Sequence, residues 1–152
     1  MDHEFYMNLA FQEALKALDE NEVPVGAVIV KGSSVIGRGY NRIERLNDAT
    51  AHAEILAISA ATSSLSTWRL NDCSIYVTIE PCLMCLGAIL QSRIEHIIYG
   101  AHDNRYGAIK TSSFKDLAME SYRRFPEITE GIMKIECKTL IQSFFKKIRK
   151  KD

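Results

Sequence analysis

The residues best suited to chemistry lie in two short segments, His52-Ala53-Glu54 and Pro81-Cys82-Leu83-Met84-Cys85. One imidazole and two thiols, from His52, Cys82 and Cys85, form a ligand set that suits a tetrahedral zinc ion. A catalytic zinc site has three protein ligands and leaves the fourth position for water. Glu54 follows the imidazole by two residues and would reach that water. The set therefore predicts hydrolytic zinc chemistry, with Glu54 as the carrier of protons.

Two other functions of the Cys82 and Cys85 pair remain open on this pattern. The thiols could be a redox pair or half of a structural zinc knuckle. A redox pair leaves His52 and Glu54 without a function, and a structural zinc site needs a fourth ligand. The other histidines and cysteines offer no second ligand-spaced pair; they are His3, His96, His102, Cys73 and Cys137. Catalytic zinc is the favoured interpretation.

The neighbouring residues place the three ligands at the starts of two helices. Pro81 follows a β-rich run over 74–79, and proline suits the first turn of a helix because its missing N–H costs nothing there. Thr50 is the candidate N-cap of a second helix over 51–62. A helix N-terminus favours a thiolate over a thiol, which is the form that a metal binds.

The rest of the chain alternates helical and strand patterns. Helices are expected over 2–20, 51–62, 82–91, 113–123 and about 132–150, and strands over 23–31, 34–40, 74–80, 94–99 and 127–130. In the first helix, the residues expected on the buried face are Phe5, Leu9, Ala10, Ala14, Ala17 and Leu18. Packing is also expected for Trp68, Met84, Cys73 and Cys137. The order of elements predicts a layered α/β fold, and the length predicts one domain over 1–152.

A resemblance to a known family extends this interpretation. An H-x-E motif followed by P-C-x-x-C is the signature of the zinc-dependent nucleobase deaminases. The chain resembles the bacterial tRNA-specific adenosine deaminases in further segments, in order and at similar spacing: 22–28, 39–42, 50–57, 76–85, 100–103 and 127–132. The resemblance implies a three-layer cytidine deaminase-like domain, a mixed five-strand sheet with helices on both faces. Four residues depart from the usual family pattern: Ile43, Ala49, His102 and Tyr106.

The resemblance also implies an activity, hydrolytic deamination of adenosine to inosine at the wobble position of a tRNA anticodon loop. One zinc ion per subunit would be bound by His52, Cys82 and Cys85, with Glu54 as the catalytic residue. The implied substrate contacts are Val25, Asn41, Asp103, Arg105, Phe144 and Phe145. A homodimer and an arginine tRNA as substrate are further implications.

Simpler functions remain open for some of these residues. An isolated Asn41 after a strand is commonly a turn residue, and one of Phe144 and Phe145 is expected to be core. A small-molecule deaminase of the guanine or cytosine type would share every zinc residue. A catalytically silent zinc-binding subunit is expected to have lost Glu54, which is present.

Composition and charge limit the cellular compartments and the binding partners that are expected for the protein. No apolar stretch reaches the roughly 18 residues of a membrane span, and no secretion signal is recognisable, so a cytoplasmic protein is expected. The formal net charge is zero, but it is unevenly distributed. Residues 1–22 carry six acidic side chains and one basic one, whereas residues 134–152 carry seven basic and two acidic. The basic end could bind RNA phosphates, or it could be a solvated tail.

Overall fold

The computed structural model describes residues 2–151, apart from the side chains of Ser112 and Lys151, and contains a five-stranded sheet. The strands are β1 Gly26–Lys31, β2 Ser34–Tyr40, β3 Cys73–Ile79, β4 His96–Ala101 and β5 Glu127–Glu130. The helices are α1 His3–Asp19, α2 Ile43–Leu46, α3 Ala53–Leu65, α4 Leu83–Gln91, α5 Ser112–Tyr122 and α6 Lys134–Lys151. The strand order is β2-β1-β3-β4-β5. The pairs on either side of β1 are antiparallel, and β3, β4 and β5 are parallel.

The side chains of β1 point alternately to the two faces of the sheet, which separates two apolar layers. Ala27 and Ile29 pack in a cluster with residues of α3, α4 and α5. Val28 and Val30 point to the opposite face and pack in a cluster with residues of α1 and α6. Successive side chains of a strand face opposite sides of a sheet, so one strand supplies both layers. The predicted three-layer fold, a mixed five-strand sheet with helices on both faces, is confirmed.

Close packing against β2 fixes the position of α3. A Cβ atom added at Gly39 would collide with the backbone of Ala53 and Ala57, and one at Gly37 would collide with the backbone of Ala57 and Ala61. Only glycine lets the helix backbone approach the strand this closely. The contact therefore sets the distance between β2 and the first turn of α3, where two of the predicted site residues lie.

Near the start of the sheet, one predicted boundary was wrong and one short helix was not predicted. The first strand begins at Gly26 and not at Val23, because Val23 and Val25 form a tight turn in which the Val25 N–H donates to the Val23 carbonyl. Pro24 has no N–H to give to a sheet. The short helix α2 was not predicted, since four residues are too few to show an apolar period.

Some expected core positions were also wrong. Phe5 is 55% exposed, and the apolar face of α1 instead includes Tyr6 and Met7. Trp68 is 50% exposed and Met84 is 37% exposed, whereas Cys73 and Cys137 are buried as expected. Within residues 2–151, no helix is both long and apolar enough to cross a membrane.

The glycine contact leads to a prediction about stability. Gly39→Ala should lower the free energy of unfolding by about 1–3 kcal/mol, because the new methyl group must push α3 away from β2. Arg38→Ala is the matched control, since Arg38 is an exposed neighbour on the same strand, and its effect should stay within about 0.5 kcal/mol. Urea unfolding measures both. Equal stability of the Gly39→Ala and parent proteins would contradict the close packing.

Candidate active site

Three potential metal ligands meet where α3 and α4 begin. His52 is the N-cap residue of α3, Cys82 is the N-cap residue of α4, and Cys85 lies in the first turn of α4. The His52 Nδ1 atom is 3.7 Å from Cys82 Sγ and 3.5 Å from Cys85 Sγ. With Zn–N bonds of about 2.0–2.1 Å and Zn–S bonds of about 2.3 Å, the N–S edge of a tetrahedron is about 3.6 Å. Both N–S distances therefore match the spacing that a tetrahedral ion requires, and all three donor atoms lie within 4.8 Å of one another.

The two thiols differ in their readiness to lose a proton. The hydrogen bond from Cys85, aided by His52, lowers the pKa of Cys82 to about 4. The same thiol–thiol hydrogen bond, together with burial, raises the pKa of Cys85. Of the two thiols, Cys82 therefore loses its proton more readily, and binding of an ion would release the proton of Cys85, since metal binding releases the protons of its ligands.

Glu54 is a buried carboxyl group in the first turn of α3. Only 3% of the residue is exposed, and burial raises its pKa to about 7. A hydrogen bond with the Cys85 thiol joins it to the ligand group. A carboxyl group with a pKa near neutrality can both take up and release a proton, which is the property required of a general acid and base.

Asn41 supplies the acceptor at the start of α3. Its Oδ1 atom accepts a hydrogen bond from the Ala53 N–H at 2.8 Å, and both residues are buried. Thr50, the predicted N-cap, instead donates its hydroxyl to Asp48 Oδ1 at 2.7 Å. The prediction was wrong because the cap comes from a residue twelve positions away along the chain, at the end of β2. Pro81 also lies just before the N-cap residue, not within the first turn of α4.

The loop after β4 is folded around the side chain of Asp103. Its Oδ1 atom accepts from the backbone N–H groups of Arg105 and Tyr106, both at 3.0 Å. The Arg105 side chain is exposed and its guanidinium lies 4.9 Å from the centre of the Tyr106 ring. Asp103 therefore has a structural function in shaping the loop, beside any contact with a substrate.

Glu80 is a buried residue that holds the same loop through hydrogen bonds. The sequence did not indicate this function. Its Oε1 atom accepts from the Asp103 N–H at 3.2 Å, and its Oε2 atom accepts from the N–H groups of Ile109 and Lys110 at 3.0 and 3.1 Å. His102 Nδ1 lies 3.5 Å from Oε1. A buried carboxylate is stable only when hydrogen bonds replace its water. The one available signal was an acidic residue at the end of an apolar strand.

The other predicted contact residues differ in exposure. Val25 is 5% exposed and packs in the core cluster beneath α3. Phe144 is 9% exposed and Phe145 is 44% exposed, with ring centres 5.4 Å apart, so one of the two is buried as expected. Within residues 2–151, no hydrogen bond, ion pair or ring contact joins either phenylalanine to the ligand group.

Comparisons with known proteins agree with this geometry. Residues 1–149 match the model of the MafB19-like deaminase family, so fold and site together define a deaminase. The tRNA-specific adenosine deaminase of Streptococcus pyogenes serotype M1 is 40% identical over 147 residues, which are 97% of this chain and 85% of the relative. The chain belongs to the tRNA-specific adenosine deaminase family.

Two solved structures separate the possible substrate classes. A structure from studies of A-to-I editing by tRNA:A34 deaminases at the wobble position of transfer RNA has a TM-score of 0.84 at 39% identity, covering 90% of this chain and 98% of that one. The guanine deaminase of Bacillus subtilis has a TM-score of 0.64 at 40% identity, covering 67% and 66%. At about 40% sequence identity, the similarity therefore extends over nearly the whole chain for the tRNA deaminase and over two thirds of it for the guanine deaminase, so the small-molecule alternative is not favoured.

The ligand spacing predicts the effect of removing one thiol. Cys82→Ser should weaken zinc binding by more than about 100-fold, because even residues that only orient ligands contribute about 10–100-fold. Cys73→Ala is the control, since Cys73 is a buried thiol outside the ligand group, and its zinc content should not change. Metal analysis after dialysis measures both. If the Cys82→Ser protein retained one full equivalent of zinc, Cys82 would not be a zinc ligand.

Asn41 can be tested for its two functions separately. Asn41→Ala removes the acceptor for the Ala53 N–H and should cost about 1 kcal/mol of stability. Asn41→Asp keeps the acceptor, so its free energy of unfolding should lie within about 0.5 kcal/mol of the parent value. The substitution nevertheless replaces the amide NH₂ group. Urea unfolding and the kinetics of deamination should be measured together. A stable Asn41→Asp protein with unchanged KM and kcat would leave Asn41 only its capping function.

Proposed function

We propose that this chain hydrolytically deaminates adenosine to inosine at the wobble position of a tRNA anticodon loop. The observation that carries the proposal is a buried Glu54 hydrogen-bonded to a group of three metal ligands, in a chain 40% identical to a tRNA-specific adenosine deaminase over 97% of its length. The net reaction consumes water and releases ammonia.

Zinc is the ion that we propose for the site, one per subunit, with His52, Cys82 and Cys85 as ligands. One imidazole and two thiolates, with a position left for water, match the donor set of a catalytic zinc site. When bound, zinc would supply Lewis acidity and lower the pKa of its water. The low pKa of Cys82 and its position at a helix N-terminus support binding in the thiolate form.

Glu54 would carry every proton of the reaction. It would accept the proton of the attacking water, deliver one to N1 of the adenine ring and later assist the departure of ammonia. A pKa of about 7 allows the same carboxyl to be base and acid in turn. Burial in the first turn of α3 holds it beside His52 and away from bulk water.

Asn41 and Val25 would define the base pocket. The Asn41 carbonyl oxygen is already used by the Ala53 N–H, so its NH₂ group is the part that would donate to the base. Val25 lies next to it, because the Asn41 N–H donates to the Val25 carbonyl at 3.1 Å. A donor and an apolar wall at one position would suit an unpaired base turned outward from its loop.

Contacts with the RNA backbone and flanking bases would come from two other elements. Asp103 and Arg105 lie on the loop held by Glu80, and Arg105 is exposed beside Tyr106. In α6 the exposed Phe145 is the better candidate for stacking, and Phe144 supports it from a buried position. The basic residues that follow on α6 would neutralise phosphates: Lys146, Lys147, Arg149 and Lys150.

A homodimer is the proposed assembly. Leu83, at the start of α4 beside the ligand group, is 54% exposed and its neighbour Met84 is 37% exposed. Large apolar side chains exposed together favour burial by a second copy of the chain. All four cysteines are free thiols, which supports a reducing compartment such as the cytoplasm. An arginine tRNA as substrate rests on the family resemblance.

A substrate comparison tests the proposed function. The metal-loaded protein should produce inosine from a tRNA anticodon stem-loop and turn over free adenosine, guanine, cytosine and cytidine far more slowly. Glu54→Gln should keep the metal but lose about 10²–10⁴ in rate, because an amide cannot carry protons. Glu120→Gln, an exposed glutamate on α5, is the matched control and should keep the full rate.

Three outcomes of this experiment would contradict the proposal. Faster turnover of guanine or cytosine than of the stem-loop would assign the chain to the small-molecule deaminases. Metal binding with no deamination of any substrate would make it a binding protein. A Glu54→Gln variant with more than about a tenth of the parent rate would require another base.

A further inference from the structure

An aromatic and cationic surface lies at the C-terminal ends of α3 and α4, which are the ends opposite to the ligand group. Trp68 follows the C-terminal end of α3 and is 50% exposed. The guanidinium carbon of Arg69 lies 4.5 Å from the centre of its ring system, and that of Arg93 lies 5.6 Å from it. A tryptophan left half exposed to solvent between two arginine side chains makes no contribution to the proposed catalytic chemistry.

A shallow cavity of about 210 Å³ continues this surface. Trp68 and Arg93 line it together with Tyr122 and Arg124. The Arg124 guanidinium is fixed in place, because its Nη2 atom donates to the Leu90 carbonyl at 3.1 Å. We call Trp68, Arg69, Arg93, Tyr122 and Arg124 the Trp68 face.

The charge of the Trp68 face is uncompensated. Among the ion pairs of residues 2–151, none involves Arg69, Arg93 or Arg124. Arginines on protein surfaces commonly pair with carboxylates, and here Arg93 and Arg124 line the cavity and Arg69 lies over the Trp68 ring without such a partner. The surface is therefore complementary to an anion, and the planar guanidinium suits the oxygens of a phosphate.

The position of the face excludes contact with the base in the active site of the same subunit. The ligand His52 precedes α3 and Trp68 follows it, and a helix of 13 residues is about 20 Å long. The C-terminal end of α4, from which Gln91 and Arg93 reach the cavity, is likewise the end opposite to Cys82. A ligand of the Trp68 face is thus a different group from the base that reacts.

We propose that the Trp68 face is a second RNA-binding surface, which takes a phosphodiester-linked nucleotide of an unpaired RNA segment. The base stacks on the indole of Trp68 in place of one guanidinium, and the displaced guanidinium joins Arg93 and Arg124 around the phosphate. Stacking on exposed aromatic rings combined with cationic side chains is how single strands are bound without base-pair readout. An acidic peptide would satisfy the arginines but would leave the tryptophan and tyrosine unused.

The chain offers a direct probe, because Trp68 is its only tryptophan. Intrinsic fluorescence of the metal-loaded protein should be quenched on titration with a short oligouridylate, which contains no adenosine and so binds whether or not the chain deaminates tRNA. Arg69→Gln combined with Arg93→Gln should weaken this binding about tenfold or more and reduce its salt dependence. Each single variant should show part of the loss.

Matched controls separate this proposal from general attraction to a polyanion. Arg38→Gln, an exposed arginine on β2, should change the affinity less than twofold. Zinc content and the circular dichroism spectrum should be the same in all variants, since Arg69 and Arg93 are exposed. Uridine monophosphate should quench more weakly than the oligomer, and inorganic phosphate should not quench at all.

Several results would overturn the proposal. If oligouridylate did not quench the fluorescence, or if Arg69→Gln and Arg93→Gln left the quenching unchanged, this face would not be an RNA-binding surface. Equal binding of inorganic phosphate would reduce it to a simple anion site. Equal binding of polyglutamate would point to an acidic protein partner instead.

Discussion

The direct contact between the backbone of α3 and the backbone of β2 is the constraint on which the site depends. Gly39 permits the approach, and Asn41 at the end of the same strand caps the helix through the Ala53 N–H. His52 and Glu54 lie on either side of that capped residue. One strand end therefore fixes both the ligand and the carboxyl group, so the precision of the site comes from main-chain packing and one hydrogen bond, not from the ligands themselves.

Much of this arrangement could be predicted from the sequence, since the ligands and the carboxylate lie in short, chemically specific motifs. His52 and Cys82 at two helix starts, and the alternation of β1, are local properties that a pattern reveals. The cap by Asn41 and the anchoring by Glu80 join residues far apart in sequence, so no local pattern contains them. Trp68 was expected to be a packing residue, and only the fold shows it half exposed.

Two buried carboxylates each hold a segment of backbone, a short helix in one case and a loop in the other. Glu22 accepts hydrogen bonds from the N–H groups of Glu44 and Arg45 at the start of α2, at 3.1 and 2.8 Å. Glu80 does the same for the loop after β4. Each carboxylate replaces its lost hydration with several backbone donors, so burial becomes tolerable and the surrounding backbone becomes rigid. The short helix α2 and the loop after β4 are thus both held through their main-chain N–H groups.

The anchoring by Glu80 has a consequence for how this fold can diversify. Its carboxylate binds main-chain N–H groups of Asp103, Ile109 and Lys110, which any residue except proline provides. The side chains of Arg105 and Tyr106, which lie between these residues, are exposed and take no part in the hydrogen bonds to Glu80. Positions 105 and 106 can therefore change while Glu80, Asp103 and Gly107 keep the path of the loop, so the exposed surface beside the site can drift in evolution, or be redesigned, with the ligand group left intact.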